Sequence, residues 1–355
     1  MPRIDVAWPP VVQVGPEPTA VGGIATVIRT YVSMLSAQTT VRQVTSWRPG
    51  TRGAGAAVAL TAAGRLAALR ARHHGERALV HVHVSHRGSF LREGALIRAA
   101  AALGHPVFVT VHGSQFVATS GQPPWRTLYR LVLRRANAVA VLDDAALAAV
   151  RGLAPRTPAT LLPNPGPVFP QWTPASGAVD TGPVVLFAGE VSRRKGVDVL
   201  LRAWPAVTAA VPGALLLVAG PDGGVDVAGV PGVRALGAVS AEAIRARLGE
   251  ARVAVLPSRA EGMPMFVLEA MAAGRPVVGS TVGAMPRLLA GAGAVVEPGD
   301  ADRLADALIG YLRDPERAGH DGAAGRARYL RSHSPGVALE RLAAFYRTGA
   351  AGGAP

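Results

Sequence analysis

Cysteine is absent from the 355 residues of this chain, and lysine occurs once. Without cysteine there are no disulfides and no thiolate ligands for a metal. Aromatic residues make up 5% of the chain, and no apolar run reaches the roughly 18 residues of a membrane-spanning helix. The first residues, MPRIDVAWPP, read as a short strand and a loop rather than a signal peptide. We therefore expect a cytoplasmic protein.

The composition is that of a globular protein long enough for two domains. Hydrophobic residues make up 49% of the chain and charged residues 17%, which differs from the composition of disordered segments. Basic charge is concentrated in residues 1–165, with 18 arginines against 6 acidic residues, whereas residues 166–355 hold 19 basic and 17 acidic residues. The first half therefore predicts either a solvated arginine-rich surface or contact with an anionic substrate, membrane or nucleic acid.

Apolar runs and helical patterns alternate along the chain in two series. The first series covers residues 1–165, and residues 166–182 are rich in proline, glycine and serine, which predicts a linker. The second series covers residues 183–334. A last helix, predicted over Pro335–Tyr346, lies in a segment 335–355 that we expect to return to the first domain. Short connections in both halves indicate two doubly wound α/β domains facing across a cleft.

The stretch Ser258–Pro276 of the second half combines the features of an anion site. It follows a buried strand predicted over Val253–Leu256, and its helix begins near Pro264, because proline suits the first helical turn. Free N–H groups at a helix N-terminus bind anions. The carboxylates of Glu261 and Glu269 can accept hydrogen bonds from hydroxyls. A diphosphate joined to a sugar is a ligand of this kind.

Three cations follow the first strand of the second half, in the loop GEVSRRKG of residues 189–196. Arg193, Arg194 and Lys195 could stabilise the charge that develops on a diphosphate leaving group, without a metal. Lys195 is the single lysine beside 36 arginines, which favours a role that needs a compact ammonium. A solvated surface run is the alternative interpretation.

Two features of the first half lie where parallel strands are expected to end. Gly22 and Gly23 come between a predicted strand, Val11–Val14, and the next helix, where a backbone can approach a phosphate. His112 follows the apolar run Val107–Val111, at the ligand edge of an α/β sheet. A simple turn and a structural histidine are the alternatives.

The remaining motifs do not favour metal chemistry. His81 and His83 share one face of a predicted strand but have no acidic or cysteine neighbour. The Asp-x-Asp sequence that begins at Asp300 lies at a helix start, where N-capping explains it. No dinucleotide, Walker, G-x-S-x-G or H-E-x-x-H motif is present.

The basic amphipathic helix of residues 124–135, PWRTLYRLVLRR, predicts either contact with a membrane surface or inward packing of its apolar side.

Five motifs stand in order along the chain: a GG loop, HGSQF, LPNP, a G-x5-KG loop, and EGMPMFVLE followed by AMAAGRPVV. With these motifs the chain resembles the retaining glycosyltransferases of family 4, which have the GT-B fold, over nearly its whole length. The segment HVHVSHRGSFLREG further resembles members that assemble polysaccharides and related glycoconjugates. The resemblance implies transfer of a hexose from a UDP- or GDP-sugar to an acceptor hydroxyl, with retention of the anomer and without a metal or another cofactor.

The resemblance also implies roles for individual residues. Lys195, with Arg193 or Arg194, would bind the donor diphosphate. Glu269 would bind the ribose hydroxyls, and Glu261 would contact the transferred sugar. His112 would lie beside the donor sugar. The backbone of Gly22 and Gly23 would approach the ligands. Gly262 and Met263 would contact the sugar or the phosphate, and Val239 would lie near the base.

The chain departs from the family pattern at Glu190, where many members have an arginine. Arg193 and Arg194 would then neutralise this carboxylate or take over the missing role. The implied acceptor is a lipid-linked glycan or a small-molecule aglycone, and a lipid-linked acceptor would bring the enzyme to the inner face of the membrane. Nucleic acid is not an expected partner, because the basic half lacks the interleaved aromatic residues of a base-stacking groove. A non-catalytic binding module, or an epimerase or phosphorylase on the same fold, is the alternative.

Overall fold

The computed structural model describes residues 8–20, 22–48, 50, 55–72, 78–167 and 182–351. The chain divides into two compact units, a first unit of Met1–Pro165 with Pro335–Pro355 and a second unit of Gly166–Ser334. The sequence also predicts a short strand within the first ten residues, over Ile4–Trp8. Most of this strand, and most of the linker predicted over residues 166–182, lie outside the described residues.

The first unit alternates strands and helices along the chain. Its elements are β1 (Val11–Pro16), α1 (Gly23–Leu35), β2 (Val41–Trp47), α2 (Gly55–Arg72), β3 (Leu79–Val84), α3 (Gly88–Ala102), β4 (Val107–Val111), α4 (Phe116–Ser120), α5 (Trp125–Leu133), β5 (Ala138–Val141), α6 (Asp144–Leu153) and β6 (Ala159–Leu161). The six strands are parallel, in the order β2-β1-β3-β4-β5-β6. Every residue of β3, β4 and β5 is buried, because a parallel sheet is covered by helices on both faces.

The second unit repeats this architecture. Its elements are β7 (Val184–Ala188), α7 (Val197–Ala210), β8 (Leu215–Ala219), β9 (Val233–Gly237), α8 (Ala241–Glu250), β10 (Val253–Leu256), α9 (Met265–Ala272), β11 (Val277–Ser280), α10 (Met285–Leu289), β12 (Gly293–Val296), α11 (Ala301–Arg313) and α12 (Pro315–Ser332). Its six parallel strands lie in the order β12-β11-β10-β7-β8-β9. The prediction of two doubly wound α/β sheets is therefore confirmed.

A last helix, α13 (Pro335–Ala351), belongs to the first unit. It contacts β5 and α1. Phe345 and Tyr346 are buried, and their rings lie 5.2 and 5.0 Å from the ring of Phe108 in edge-to-face contacts, a geometry that aromatic pairs favour. The chain therefore returns to complete the core of the first unit after the whole second unit has been made.

Helices α6, α8 and α11 begin at side chains that cap them. Asp143, Ser240 and Asp300 each accept a hydrogen bond from the backbone N–H three residues later, at 2.8, 3.1 and 2.9 Å. Such caps satisfy N–H groups that have no partner inside the helix. The capping interpretation of the Asp-x-Asp sequence at Asp300 is thus confirmed.

Two elements are not apparent from the hydrophobic pattern. β2 is an edge strand whose sequence, VRQVTSW, buries only its fourth and sixth residues, so it has no apolar run. α4 is a five-residue helix, too short to show a helical period.

The basic helix of residues 124–135 is α5, and its apolar side packs inward. Tyr129, Val132 and Leu133 are buried, and they belong to the core that covers the first sheet. The exposed side carries mainly arginines, Arg126 and Arg130 among them. Leu131, on the same side, is 51% exposed, so this surface combines basic charge with one exposed apolar side chain. Within the described ranges, no helix is both long enough and apolar enough to cross a bilayer.

Candidate functional site

Each sheet has a point from which successive strands are added in opposite directions. In the second sheet this point lies between β7 and β10, which are adjacent, and in the first sheet it lies between β1 and β3. Loops leaving the carboxyl ends of two such strands diverge, and open α/β sheets bind ligands in the crevice that results. Most of the residues predicted from the sequence to form the site lie in or beside these four loops.

In the second unit, the stretch Ser258–Pro276 forms the loop after β10 and the helix α9. Pro264 is the N-cap of α9, with extended backbone, and is not inside the first turn as the sequence suggests. The first residue with helical geometry is Met265. Gly274 closes the helix at a left-handed φ of 64°, an ordinary conformation for a residue just beyond a helix C-terminus.

Lys195 and Glu261 are brought together from the loops after β7 and β10. Lys195 Nζ lies 2.6 Å from Glu261 Oε1, and the side chains are 16% and 9% exposed. Ser258 Oγ also donates to Glu261 Oε1, at 2.8 Å. A charge-assisted pair with this little solvent has a fixed geometry, so the ammonium and the carboxylate form one polar centre at the switch point.

The loop that carries Lys195 is fixed to the loop after β10 by Arg259, a residue that the sequence analysis did not single out. Its guanidinium donates to both carboxylate oxygens of Asp198, at 2.7 and 2.8 Å, and to the carbonyl oxygen of Arg193. Its backbone N–H donates to the carbonyl oxygen of Arg194 at 2.9 Å. The hydrogen bond from Arg259 lowers the pKa of Asp198. This clamp fixes the cationic loop relative to Glu261.

Glu190, which stands where the family pattern has an arginine, is engaged within its own loop. Arg194 Nη2 lies 3.2 Å from Glu190 Oε2, and Ser192 Oγ donates to the same oxygen at 2.9 Å. Both partners of the ion pair are nearly half exposed. Arg194 thus neutralises the carboxylate, and Arg193 is exposed beside it.

Of the remaining predicted residues of the second unit, Gly262, Met263 and Glu269 follow Glu261 along the chain, whereas Val239 lies in a loop at the edge of the sheet. Glu269 is the fifth residue of α9 and the only one of its eight residues that is not buried. Gly262 and Met263 follow Glu261 directly. Gly262 accepts a hydrogen bond from the backbone of residue 284 at 2.8 Å, so the next loop of the sheet braces the Glu261 loop. Val239 is half-buried in the loop after β9, the edge strand.

In the first unit, the GG loop borders a cavity of about 260 Å³ at the switch point between β1 and β3. Gly22 is the N-cap of α1, at a φ of 145° that favours glycine. His83, at the end of β3, lines the same cavity. The other lining residues come from β1, β2, α1, α3 and the loops beside them: Pro16, Ala20, Gly23, Ile24, Ala25, Trp47, Ser85, Ser89, Arg92 and Glu93.

A buried carboxylate, Glu93, forms part of this cavity and was not predicted from the sequence. It is 1% exposed and accepts hydrogen bonds from Ser46 at 2.6 Å, from Ser89 at 2.7 Å and from Arg92 at 2.7 and 3.2 Å. Buried charges persist where they are paired and hydrogen-bonded in this way. The Glu93 carboxylate thus holds Ser89 and the Arg92 guanidinium in fixed positions at the cavity wall, and Ser46, which does not line the cavity, supports it from β2.

His112 lies at the end of β4, next to β3, and contacts His83. His112 Nε2 is 2.9 Å from His83 Nδ1, and the two rings stack with centroids 5.1 Å apart. Burial lowers the pKa of His112 to about 3, so the ring is neutral at physiological pH. No group of three or more histidine, cysteine, aspartate or glutamate side chains in the described part of the chain is arranged to hold a metal ion.

Acid is expected to destabilise the first unit through its buried histidines. Burial lowers the pKa of His81 from 6.5 to about 3 and that of His83 well below 6.5. Below pH 6.5 the unfolded chain binds protons that the folded chain does not, so stability is lost as the pH falls from 6.5 towards 3. Between pH 7.5 and 5.5 we expect a loss of about 1.4 kcal/mol for each histidine. Denaturant unfolding at the two pH values measures it.

The control for acid destabilisation is His81→Gln, which removes one titrating group. The variant loses a buried hydrogen bond, so its stability falls at every pH. The number of protons taken up on unfolding in acid, which sets the slope of the unfolding free energy against pH, should decrease by about one. An unchanged slope would show that His81 is not neutral in the folded state or does not titrate on unfolding.

Residues 182–314 match the family described as glycosyl transferases group 1. Among curated proteins, a GDP-mannose-dependent monoacylated alpha-(1-6)-phosphatidylinositol monomannoside mannosyltransferase from Corynebacterium glutamicum is 36% identical over 182 residues, which cover 47% of each chain. The chain thus spans about half the length of the curated relative.

Solved structures match nearly the whole chain. Sucrose-phosphate synthase from Thermosynechococcus elongatus has a TM-score of 0.75 at 21% identity, covering 97% of this chain and 100% of its own. HepE from Anabaena, in complex with UDP-glucose, has a TM-score of 0.69 at 14% identity, covering 95% and 99%. At these identities the likeness establishes the fold, which confirms the predicted one. The chain therefore has the GT-B fold, and residues 182–314 of its second unit are similar to the group 1 glycosyl transferases.

Proposed function

We propose that this protein transfers a hexose from a nucleotide diphosphate sugar to an acceptor hydroxyl, with retention of the anomeric configuration and without a metal. The observation that carries the proposal is the Lys195–Glu261 pair, held at 2.6 Å at the switch point of the second sheet. This sheet belongs to the region that matches the group 1 glycosyl transferases. A cation and a carboxylate in one centre suit a ligand that joins a diphosphate to a sugar.

The cation of this centre has capacity for the diphosphate. An ammonium has three N–H donors, and the hydrogen bond to Glu261 uses one of them. The other two can donate to phosphate oxygens as the leaving group gains negative charge. Stabilisation of developing charge in this way is usually the largest single contribution to catalysis. Arg193, exposed two residues earlier, would add a second cation.

The carboxylate has capacity for the sugar. Oε1 of Glu261 already accepts from Lys195 and Ser258, whereas among the described residues Oε2 accepts no hydrogen bond. Oε2 would therefore accept from a hydroxyl of the transferred sugar. Glu269, the one residue of α9 that is not buried, would accept from the ribose hydroxyls. Gly262, Met263 and Val239 would contact the sugar and the base.

The first unit would supply the acceptor side. Its cavity of about 260 Å³, bordered by Gly22 and Gly23, is slightly smaller than the roughly 300–1,000 Å³ of typical ligand pockets, so it would take only part of an acceptor. His112 would contact the donor sugar from this unit. In the reaction the bond from the anomeric carbon to the phosphate oxygen breaks and a bond to the acceptor oxygen forms on the same face. The acceptor proton passes to the departing phosphate oxygen, so no protein nucleophile is needed.

A panel of nucleotide sugars tests the proposal. The relative from C. glutamicum is named as GDP-mannose-dependent, and HepE was solved with UDP-glucose, so these two donors come first. We expect one of them to raise the unfolding temperature and to yield a glycoside with its anomeric configuration unchanged, in the presence of a chelator. Binding without turnover would favour a non-catalytic module. Formation of an epimer of the nucleotide sugar would favour the epimerase alternative. Release of a sugar phosphate from a glycan by inorganic phosphate would favour the phosphorylase alternative.

The same assay distinguishes the acceptor classes. A lipid-linked acceptor would bring the exposed arginines of α5 to an anionic surface, and such contact is weakened by salt. We propose this class first, since the curated relative acts on a phosphatidylinositol mannoside by its name. Product formation with anionic vesicles carrying a phosphatidylinositol glycan, lost at high salt, would support it. Product formed equally well from a soluble aglycone without vesicles would contradict it.

A further inference from the structure

A chain of hydrogen bonds crosses the sheet of the first unit from α13 to His112. Tyr346 Oη lies 2.9 Å from His81 Nδ1 and 3.4 Å from Gln13 Nε2. Gln13 Oε1 lies 2.7 Å from His83 Nε2, and His83 Nδ1 lies 2.9 Å from His112 Nε2. Gln13, His81 and His83 are at most 1% exposed. Water therefore does not compete for these groups, and each proton must lie between the atoms that it joins.

The position of every proton follows from the orientation of Gln13. Its amide oxygen faces His83 and can only accept, so the proton of this contact lies on His83 Nε2. A neutral imidazole has one N–H, which leaves His83 Nδ1 without a proton. The contact between His83 Nδ1 and His112 Nε2 then takes its proton from His112. His112, also neutral, is left with a bare Nδ1.

We propose that Gln13, held by Tyr346, is a positioning residue that fixes His112 as the tautomer with its proton on Nε2. His112 Nδ1 is then a hydrogen-bond acceptor, and it would accept from a hydroxyl of the transferred sugar, a step that rests on the proposed function. Two observations support this assignment. His112 is half-buried rather than fully enclosed, and within the described residues its Nδ1 has no hydrogen-bond partner.

The alternative proton order is a single reversal of the whole chain. If the Gln13 amide were turned by half a rotation, its nitrogen would donate to His83 Nε2, His83 would donate to His112 Nε2, and His112 would carry its proton on Nδ1. His112 would then be a donor. The two orders make opposite demands on the substrate, because an acceptor needs a hydroxyl that donates, whereas a donor is satisfied by any oxygen or fluorine.

The tautomer is measurable in the protein without substrate. In ¹⁵N-labelled protein at pH 7, long-range ¹H–¹⁵N correlations distinguish a pyrrole-like nitrogen, which carries the proton, from a pyridine-like one, and His112→Asn assigns the signals. We expect Nε2 of His112 to be pyrrole-like and Nδ1 to be pyridine-like. The reverse pattern, or an imidazolium, would overturn the proposal. This result does not depend on activity, so it is separable from a failure of the proposed function.

Two variants test whether the chain sets the tautomer. Gln13→Leu removes the acceptor of His83, so we expect the two nitrogens of His112 to shift towards intermediate values. Tyr346→Phe keeps the ring but removes the partner of the Gln13 amide, so we expect a smaller shift in the same direction. Tyr129→Phe is the matched control, because it also removes a buried hydroxyl with two partners, Thr119 and the backbone of Arg87. An unchanged His112 spectrum in a folded Gln13→Leu variant would overturn the assignment.

Substrate analogues test the acceptor role. A donor sugar in which fluorine replaces one hydroxyl can accept a weak hydrogen bond but cannot donate. At the hydroxyl that His112 contacts, we expect fluorine to lower kcat/KM by about tenfold, as much as hydrogen does. In His112→Ala, which removes both donor and acceptor, the difference between hydroxyl and fluorine should disappear at that position. A fluorinated donor that keeps most of the activity lost by the deoxy donor, at every position that His112→Ala affects, would show that His112 donates.

Discussion

Lys195→Ala should lower kcat/KM for the nucleotide sugar by about 10²-fold, because it removes the ammonium that contacts the leaving diphosphate. The substitution also leaves Glu261, 9% exposed, without its cation. An unpaired carboxylate of this kind costs stability, so the loss of activity alone does not separate the two effects. Calorimetric titration with the nucleoside diphosphate measures donor binding, and denaturant unfolding measures stability.

The double variant Lys195→Ala/Glu261→Ala separates them. Removing the carboxylate together with the lysine eliminates the unpaired charge, so stability should recover relative to Lys195→Ala while donor affinity stays low. Arg202→Ala serves as the control, since Arg202 lies on the surface of the same unit and donates to the carbonyl of Gly299. Unchanged affinity of the nucleoside diphosphate for Lys195→Ala would exclude Lys195 from the donor site.

Gly196→Ala should be among the most destabilising single substitutions in the second unit, at about 3 kcal/mol or more. Gly196 has a left-handed φ of 75°, and a Cβ there would overlap the carbonyl oxygen of Pro257. Neither group can move cheaply, because both are backbone. The overlap would separate the Lys195 loop from the Glu261 loop, so activity should fall together with stability.

Gly213→Ala is the matched control for this substitution. Gly213 has a similar φ of 82°, but no atom lies within 4 Å of the position of a Cβ. It should therefore lose only the cost of a left-handed residue, about 1 kcal/mol. Guanidinium unfolding followed by circular dichroism compares the two variants. Equal losses would show that the contact with Pro257 carries no cost and that the backbone conformation alone matters.

Most central strands and several helix starts are predictable from the sequence, because the strands of a buried parallel sheet are runs of apolar residues. The runs that form β4 and β10 are apolar throughout or nearly so, β3 alternates valine with histidine, and helix starts such as Asp300 carry their own caps. β2 leaves no such pattern because it lies at the edge of the sheet and buries only two of its seven residues.

The contacts inside the candidate sites were less predictable. Lys195 and Glu261 can each be singled out, the first as the only lysine and the second by its motif, but their hydrogen bond joins residues 66 positions apart. No motif in the sequence of α3 indicates that Glu93 is buried, and its serine partner on β2 is 47 positions away. Gln13 did leave a signal: it is a polar residue inside the apolar run of β1, and such a residue needs a partner.

The return of α13 to the first unit has a consequence for the order of folding. Gln13 and Tyr346 are in contact although 333 positions separate them, and the whole second unit is translated between them. During synthesis the first sheet emerges long before the helix that covers its histidines. Contacts of such separation form late and slow the final step of folding. The tautomer of His112 would thus be fixed fully only when the last helix docks and Tyr346 holds the Gln13 amide, which makes this histidine a reporter of completed folding.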